Sequence, residues 1–260
     1  MSMATEFKPI MLGIVCNWCC YGGADLAGVS RFQYPPYIRL IRVMCSGRVD
    51  MSFIIRAFQN GTDGVFVGGC HLGDCHYVTQ GNHDAINMVE MTKKILANIG
   101  VNPARLRLEW VSAGEGIRFA SIMNEFAEQI TKLGPLGKSE GIENSLLQLK
   151  LEAVNRLIPY LRVVQNERLQ VRKSTEEEYK EYYASEECNR LFRELIADKI
   201  TLSEIIQLLR EKAFSPGDLA SNLNLNLSEI SRHLISSANH GLIRYDAGQK
   251  RYAIAQSNYR

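Results

Sequence analysis

Residues 9–16 read PIMLGIVC, residues 38–45 IRLIRVMC and residues 63–70 DGVFVGGC, three short apolar runs that each close on a cysteine. Runs of this length, apolar almost throughout, suit strands covered on both faces of a sheet. The strands are read as Pro9–Val15, Ile38–Met44 and Gly64–Val67 with its flanks. Arg105–Val111 (RLRLEWV) alternates more clearly and makes a fourth strand, nearer an edge. Helical patterns lie between and after these runs. Asp50 caps a helix with Ile54, Ile55 and Phe58 on one face and Gly61 past its end. A second helix runs from about His83 to Ile99, and Ser112–Leu133 carries Phe119, Met123, Phe126 and Ile130 as a stripe. Strand and helix in alternation predict parallel βαβ units, hence a small open α/β sheet.

The cysteines then acquire a place. Of the 7 in the chain, six lie between Cys16 and Cys75, and Cys188 stands apart. Cys16, Cys45 and Cys70 each follow a strand, so three βα junctions bring a thiol to the carboxyl edge of one sheet, where ligands of open parallel sheets bind. Cys19 and Cys75 extend two of those loops as C-x-x-C (CNWC) and C-x4-C (CHLGDC). Gly22-Gly23, Ser46-Gly47, Gly68-Gly69 and Gly73 let backbone approach a bound group, and Arg48 offers a positive charge beside it. Four thiolates suit structural zinc or an iron–sulfur cluster. There is one C-x2-C pair where a zinc ribbon uses two, and the ferredoxin run C-x2-C-x2-C-x3-C is absent. A four-cysteine [2Fe-2S] cluster fits the spacing best. The strand-end trio with Cys75 is the first choice of ligands, Cys19 follows, and Cys20 is the bystander. His71 and His76 leave a mixed His/Cys site open. A thiol oxidoreductase built on Cys16-Asn17-Trp18-Cys19 competes, but it leaves Cys45, Cys70 and Cys75 without a task.

Composition sets the surroundings. The chain has 260 residues, 46% hydrophobic and 22% charged, with a formal net charge of +2, too small to argue for nucleic acid or an anionic membrane. No apolar run is long enough to span a bilayer, and the first twenty residues lack the basic flank and cleavage site of a secretory leader. A cytoplasmic protein is expected, where a dense cysteine group is more often metal-binding or catalytic than disulfide-bonded.

Three units are expected: residues 1–135 as an iron–sulfur α/β domain, 136–188 as a helical connector, and 189–260 as a winged helix-turn-helix-like domain. Gly134–Gly141 (GPLGKSEG) reads as a linker. Ile142–Val171 is helical, with Pro159 breaking or kinking it. Lys173–Glu187 (KSTEEEYKEYYASEE) reads as an exposed helix or tether. Ile200–Lys212 is an amphipathic helix, and Ser215-Pro216-Gly217-Asp218 opens a second one. Ser228 caps a third, ending at His240-Gly241. Leu242–Tyr245 and Lys250–Ile254 then flank a turn, as in a winged helix.

The runs CNWCCYGGADLAG, YPPYIRLIRVMCSGRVD, AFQNGTDGVFVGGCHLGDCHY and RLRLEWVSAGEG closely resemble the delta subunit of methyl-viologen-reducing hydrogenase, over about residues 10–135 and with matching cysteine spacing. The resemblance implies a [2Fe-2S] protein docked on the flavin-containing A subunit of a heterodisulfide reductase. There it would relay electrons between a hydrogenase, formate dehydrogenase or other redox module and the electron-bifurcating flavin. Cys16, Cys19, Cys45, Cys70 and Cys75 all match the family pattern, and Cys20 stands where a small polar residue is usual. Short members end soon after the position of Leu136, so the C-terminal half is an addition. Its sharp reading is an iron–sulfur-sensing DNA-binding regulator. A DNA reader needs a basic recognition helix; SEISRHLISSANHG offers Arg232 and two histidines, and the wing only Arg244, Lys250 and Arg251, which favours docking to protein over nucleic acid. No nucleophile–base pair or G-x-G-x-x-G fingerprint marks a substrate site, so a relay subunit is expected rather than a catalytic one.

Overall fold

The computed structural model describes residues 7–255. The part of the leader reading that falls on residues 1–6, and the outer limits of the first and third expected units, lie outside the described residues. Four parallel strands, β1 (Met11–Cys16), β2 (Ile38–Val43), β3 (Gly64–Gly69) and β4 (Leu106–Trp110), form a sheet in the order β2-β1-β3-β4. Cys16 pairs with Val43 and Val15 with Gly68, so β1, β2 and β3 leave the sheet at nearly one level. The chain has the α/β fold that its alternating pattern predicts.

Period-two geometry divides the core. Ile14, Val65 and Val67 face one side with Ile54 and Phe58 of α2 (Met51–Gln59) and Ile86 and Val89 of α3 (Gly81–Asn98). Val15 and Phe66 face the other with Ala24 of α1 (Cys20–Val29) and Phe119, Met123 and Phe126 of α4 (Gly116–Leu133). β3, as read from its unbroken apolar run, is buried along its whole length. β4 lies at an edge, as its alternation predicts. β2 departs from expectation: it is the opposite edge strand, with Arg39, Ile41 and Arg42 exposed, and its two arginines are the feature that fits an edge.

Several other expectations change. α1 carries no stripe of large apolar residues and was not predicted. Its small residues bring it close to the β4–α4 loop, where a Cβ on Gly23 would stand 2.9 Å from Val111 and one on Gly22 2.9 Å from Ala113. α4 begins at Gly116 rather than Ser112, because Ser112–Glu115 forms a turn. The Gly134–Gly141 stretch is clamped. Arg105, wholly buried, donates to Glu140 at 2.6 Å, to the carbonyls of Asp63 (3.0 Å) and Gly134 (2.9 Å), and to Ser139 (2.7 Å).

α5 (Asn144–Val164) runs through Pro159 without ending there and then widens into a π-helical turn, Gln165–Leu169. The stretch expected as an exposed helix or tether is helical and largely exposed, but one face of it is packed. α6 (Glu176–Ala184), opened by a capping box of Thr175 and Glu178, buries Tyr179 and Tyr183 against α3. Tyr179 Oη lies 2.8 Å from His83 Nδ1, and Tyr183 Oη donates to Asn87 Oδ1 at 2.9 Å. α7 (Glu186–Phe192) buries Cys188 in the same cluster. A third cluster joins α8 (Asp198–Glu211), α9 (Pro216–Leu223) and α10 (Leu227–Asn239) to the hairpin of β5 (Ile243–Asp246) and β6 (Arg251–Ile254). Asn226, not Ser228, caps α10, its side chain accepting from the Ser228 N–H at 2.8 Å. Among the described residues no helix is long and apolar enough to cross a membrane.

Candidate metal centre

The three βα loops converge as the strand ends dictate. Cys16, Cys45 and Cys70 are buried; Cys19 and Cys75, further out on their loops, are half-buried. Cys16 Sγ lies 3.8 Å from Cys70 Sγ, and Cys45 Sγ lies 3.9 Å from Cys75 Sγ. Cys19 Sγ approaches Cys70 Sγ to 2.7 Å. Two thiolates on one tetrahedral metal with bonds of about 2.3 Å stand roughly 3.8 Å apart, so both wider pairs already have the spacing of two ligands on one ion. Among the described residues no group of three or more His, Cys, Asp or Glu side chains is arranged to hold a single ion. Cys70 meets both Cys16 and Cys19, and Cys45 meets Cys75.

Backbone donors are aimed at the sulfurs. The N–H groups of Trp18, Cys19 and Ser46 point to Cys16, and that of Gly47 to Cys45. With the hydrogen bond from Cys70 as the largest contribution, these outweigh burial and bring the Cys16 thiol down to about 6. Cys70 is pushed strongly upward by the same hydrogen bond and by burial, so the pair shares one proton. Burial pushes Cys45 up to about 11 and raises Cys19 as well.

Cys20, although next to Cys19, is the first residue of α1 and points back into the core. It fills the space that a side chain on Gly68 would occupy, and burial keeps it protonated. The glycines serve packing more than approach to a bound group. Gly47 and Gly81 let two backbones touch beside Cys45 Sγ, and Gly69 leaves room for Ser46 Oγ and the Trp110 ring.

Side chains beyond the cysteines fix the loops. Trp18 stacks on His76 with ring centroids 3.9 Å apart and donates from Nε1 to Tyr77 Oη at 3.2 Å, tying the first loop to the third. His71 Nε2 lies 2.7 Å from Glu115 Oε2, which also accepts from the Ser112 N–H at 2.7 Å. Those two hydrogen bonds, that of Ser112 first, hold the Glu115 carboxyl down at about 2. His71 and His76, the candidates for a mixed site, thus have partners of their own. Asn82, fully buried at the start of α3, donates to the carbonyls of Cys70 (3.3 Å) and His71 (2.7 Å). Asn82, Ser46 and Glu115 have no sequence signal beyond standing near a helix start or a cysteine.

The sequence matches known proteins over the part of the chain that builds this arrangement. The family model of the methyl-viologen-reducing hydrogenase delta subunit matches residues 11–134. An iron-sulfur subunit of the F420-non-reducing hydrogenase of Archaeoglobus profundus is 51% identical over 133 residues, covering 51% of this chain and 96% of the relative. The vhc iron-sulfur subunit of the F420-non-reducing hydrogenase of Methanococcus voltae is 52% identical over 133 residues, 51% of this chain and 92% of the relative. The A subunit of a ferredoxin/F420H2-dependent CoB-CoM heterodisulfide reductase of Methanosarcina acetivorans is 46% identical over 129 residues, 50% of this chain but only 16% of that much longer protein. Residues 135 onward lie outside the family match. On these similarities, the chain belongs to the family of the methyl-viologen-reducing hydrogenase delta subunit.

Proposed function

We propose that this chain is an iron–sulfur electron-transfer subunit. Its [2Fe-2S] cluster is held by four of Cys16, Cys19, Cys45, Cys70 and Cys75. The observation that carries the reading is the pairing of sulfurs from three strand ends, Cys16 with Cys70 and Cys45 with Cys75, at 3.8 and 3.9 Å. Sulfurs gathered as a group of three and a pair, rather than as one tetrahedral set, suit two irons better than one zinc. When bound, the cluster supplies a one-electron couple. The chain's own residues hold the thiolates, direct N–H donors at them and keep the strand-end trio away from water. Cys19 is the reserve ligand, close to Cys70 and half-buried.

The partners follow from the relatives. The iron-sulfur subunit of a hydrogenase is the module by itself, and the A subunit of a heterodisulfide reductase carries it within a longer chain. A module fused to an A subunit is held beside it, and a free one must dock to reach the same place. We assign the chain a relay between a hydrogenase, formate dehydrogenase or other redox module and the flavin-containing A subunit of a heterodisulfide-reductase-like complex. Anaerobic purification with iron and sulfide analysis, and EPR of the reduced protein, tests this. About two irons and two sulfides per chain support it; bound zinc, or no metal after reconstitution, overturns it.

A second reading keeps one observation in its favour. Residues 198–254 form three helices and a hairpin, with Phe214 bridged antiparallel to Tyr252, the order of elements in a winged helix. We read this unit as a winged helix that docks protein rather than DNA. Arg232, the basic residue of α10, is paired with Asp198 at 2.9 Å, and Leu227 (52% exposed) and Ile235 (57% exposed) stand on its outer side. Phosphate contacts need free cations. Salt-dependent retention of the full chain on duplex DNA would revive the regulator.

A further inference from the structure

The strand-end cage holds one polar atom that the thiol geometry leaves unused. Ser46 follows Cys45 and is 1% exposed, and its Oγ has no hydrogen-bond partner, alone in this among the buried side-chain N and O atoms of the described residues. A buried hydroxyl left unpaired destabilises the fold, so its presence at this point calls for an acceptor. Its surroundings offer little among protein oxygens and nitrogens. A Cβ on Gly69 would lie 2.7 Å from Ser46 Oγ and 2.7 Å from the Trp110 ring, so the hydroxyl rests over the residue preceding Cys70 with an aromatic wall beyond. The Ser46 N–H is directed at Cys16 Sγ, and Cys45 precedes it in the chain. The hydroxyl therefore sits beside the carboxyl ends of β3 and β4, in the residue that follows Cys45, and is shut off from water.

We propose that Ser46 sets the reduction potential of the bound cluster, its hydroxyl, which reaches no cysteine sulfur, donating to a cluster sulfide. The inference rests on the iron–sulfur reading above and adds a role for a residue that ligates nothing. The reduced form carries one more negative charge than the oxidised form, so a donor aimed at sulfur stabilises it and raises the potential. The backbone donors act in the same sense, but this is a side-chain donor that substitution can remove.

The test uses the full chain, reconstituted anaerobically, as wild type, Ser46→Ala and Ser46→Thr, with iron and sulfide content measured beside an EPR-monitored redox titration. Ser46→Ala should keep its iron and sulfide while the reduced-to-oxidised ratio at a given potential falls about tenfold, a midpoint lower by about 59 mV for a one-electron couple. Ser46→Thr keeps a hydroxyl and should stay with the wild type. A fully loaded Ser46→Ala at the wild-type midpoint overturns the role of Ser46 and leaves the iron–sulfur reading standing. A wild type that takes up no iron overturns both. Urea unfolding of the metal-free proteins gives the second measurement. Without its acceptor the hydroxyl is a liability, so metal-free Ser46→Ala should unfold at an equal or higher urea concentration; a lower midpoint would make Ser46 a structural residue and overturn the inference.

Discussion

Adjacent cysteines with opposite fates set the residue-scale argument. Cys19 ends the first loop with its sulfur toward Cys70, whereas Cys20 begins α1 and its sulfur fills the gap over Gly68. Replacing Cys45 or Cys70 with Ser should therefore abolish the iron–sulfur chromophore, and Cys20→Ala should retain it; iron analysis and visible absorption decide. The converse result would overturn the ligand assignment. The cysteine positions were legible because strand ends are legible, and a residue just past a strand is fixed in space by the sheet. Ser46 and Asn82 were not, since their importance lies in what stands opposite them across the sheet edge. Glu204 of α8, away from the sheet, is also set by its surroundings. It is 3% exposed, burial pushes its carboxyl up to about 7, and Lys150 at 3.9 Å only partly offsets this. A carboxyl with a folded value above its unfolded one near 4.5 binds a proton on folding. Its stabilising effect is full below about pH 4.5 and is lost as pH rises to about 7. At 1.36 kcal/mol per unit the loss is roughly 2–4 kcal/mol. Urea midpoints of the wild type should fall between about pH 4.5 and 7.5 more steeply than those of Glu204→Gln. Parallel profiles would remove Glu204 as the cause.

Elements were read well where one signal dominated and poorly where two competed. The apolar runs of β1 and β3 and the stripe of α4 admit one interpretation. α1, with Gly22, Gly23 and Gly28 in ten residues, lacks helix propensity; its buried residues Cys20, Gly23, Ala24 and Ala27 have helical spacing but are small, and small residues let it lie against Val111 and Ala113. In α6 the charges of KSTEEEYKEYYASEE hide a two-residue stripe, Tyr179 and Tyr183, four apart on one face. The stripe matters because each hydroxyl reaches a polar group of α3. Tyr179→Phe should lower stability by about 1 kcal/mol through the lost hydrogen bond to His83, more if the imidazole is left unpaired. Thermal unfolding at about pH 7.5 measures it, since a neutral imidazole is then the partner. No change would mean that the ring alone anchors α6. The clamp at Arg105 belongs to the same scale, since it joins β4 to the stretch that leads into α5. Arg105→Met leaves the buried Glu140 carboxylate without its cation and should cost about 3–5 kcal/mol, read from the same melting curves.

At the scale of the molecule, the division of the chain turns on where the core stops. Relatives of Archaeoglobus profundus and Methanococcus voltae match over 133 residues that make up nearly their whole length, so the sheet with its four helices is their module. Here one hydrophobic cluster runs from Ile14, Val65 and Phe58 through Leu151, Val154 and Ile158 of α5 to Tyr179, Cys188 and Ile196. The stretch expected as a connector therefore shares the core of the sheet. The composition shift at Gly134 suggested a boundary, but a polar, glycine-rich turn marks a loop and says nothing about whether the faces on either side meet. α8 through β6 pack round a different cluster, of Ile205, Leu219, Ile230 and Ile243. The two possible cuts should then behave differently. A chain ending at residue 141 strips α5, α6 and α7 from the α2–α3 face and uncovers the neighbours of Phe58 and Ile86, so it should melt lower, or associate, in size-exclusion chromatography coupled to light scattering. A chain ending at residue 197 loses only Ile200 from that cluster and should keep its thiol loops intact, taking up iron like the full chain. If the shorter chain alone were as stable as the longer, α5 to α7 would be an ornament on a self-sufficient module; if neither held iron, the helices after residue 197 would be needed to hold the sheet edge in shape.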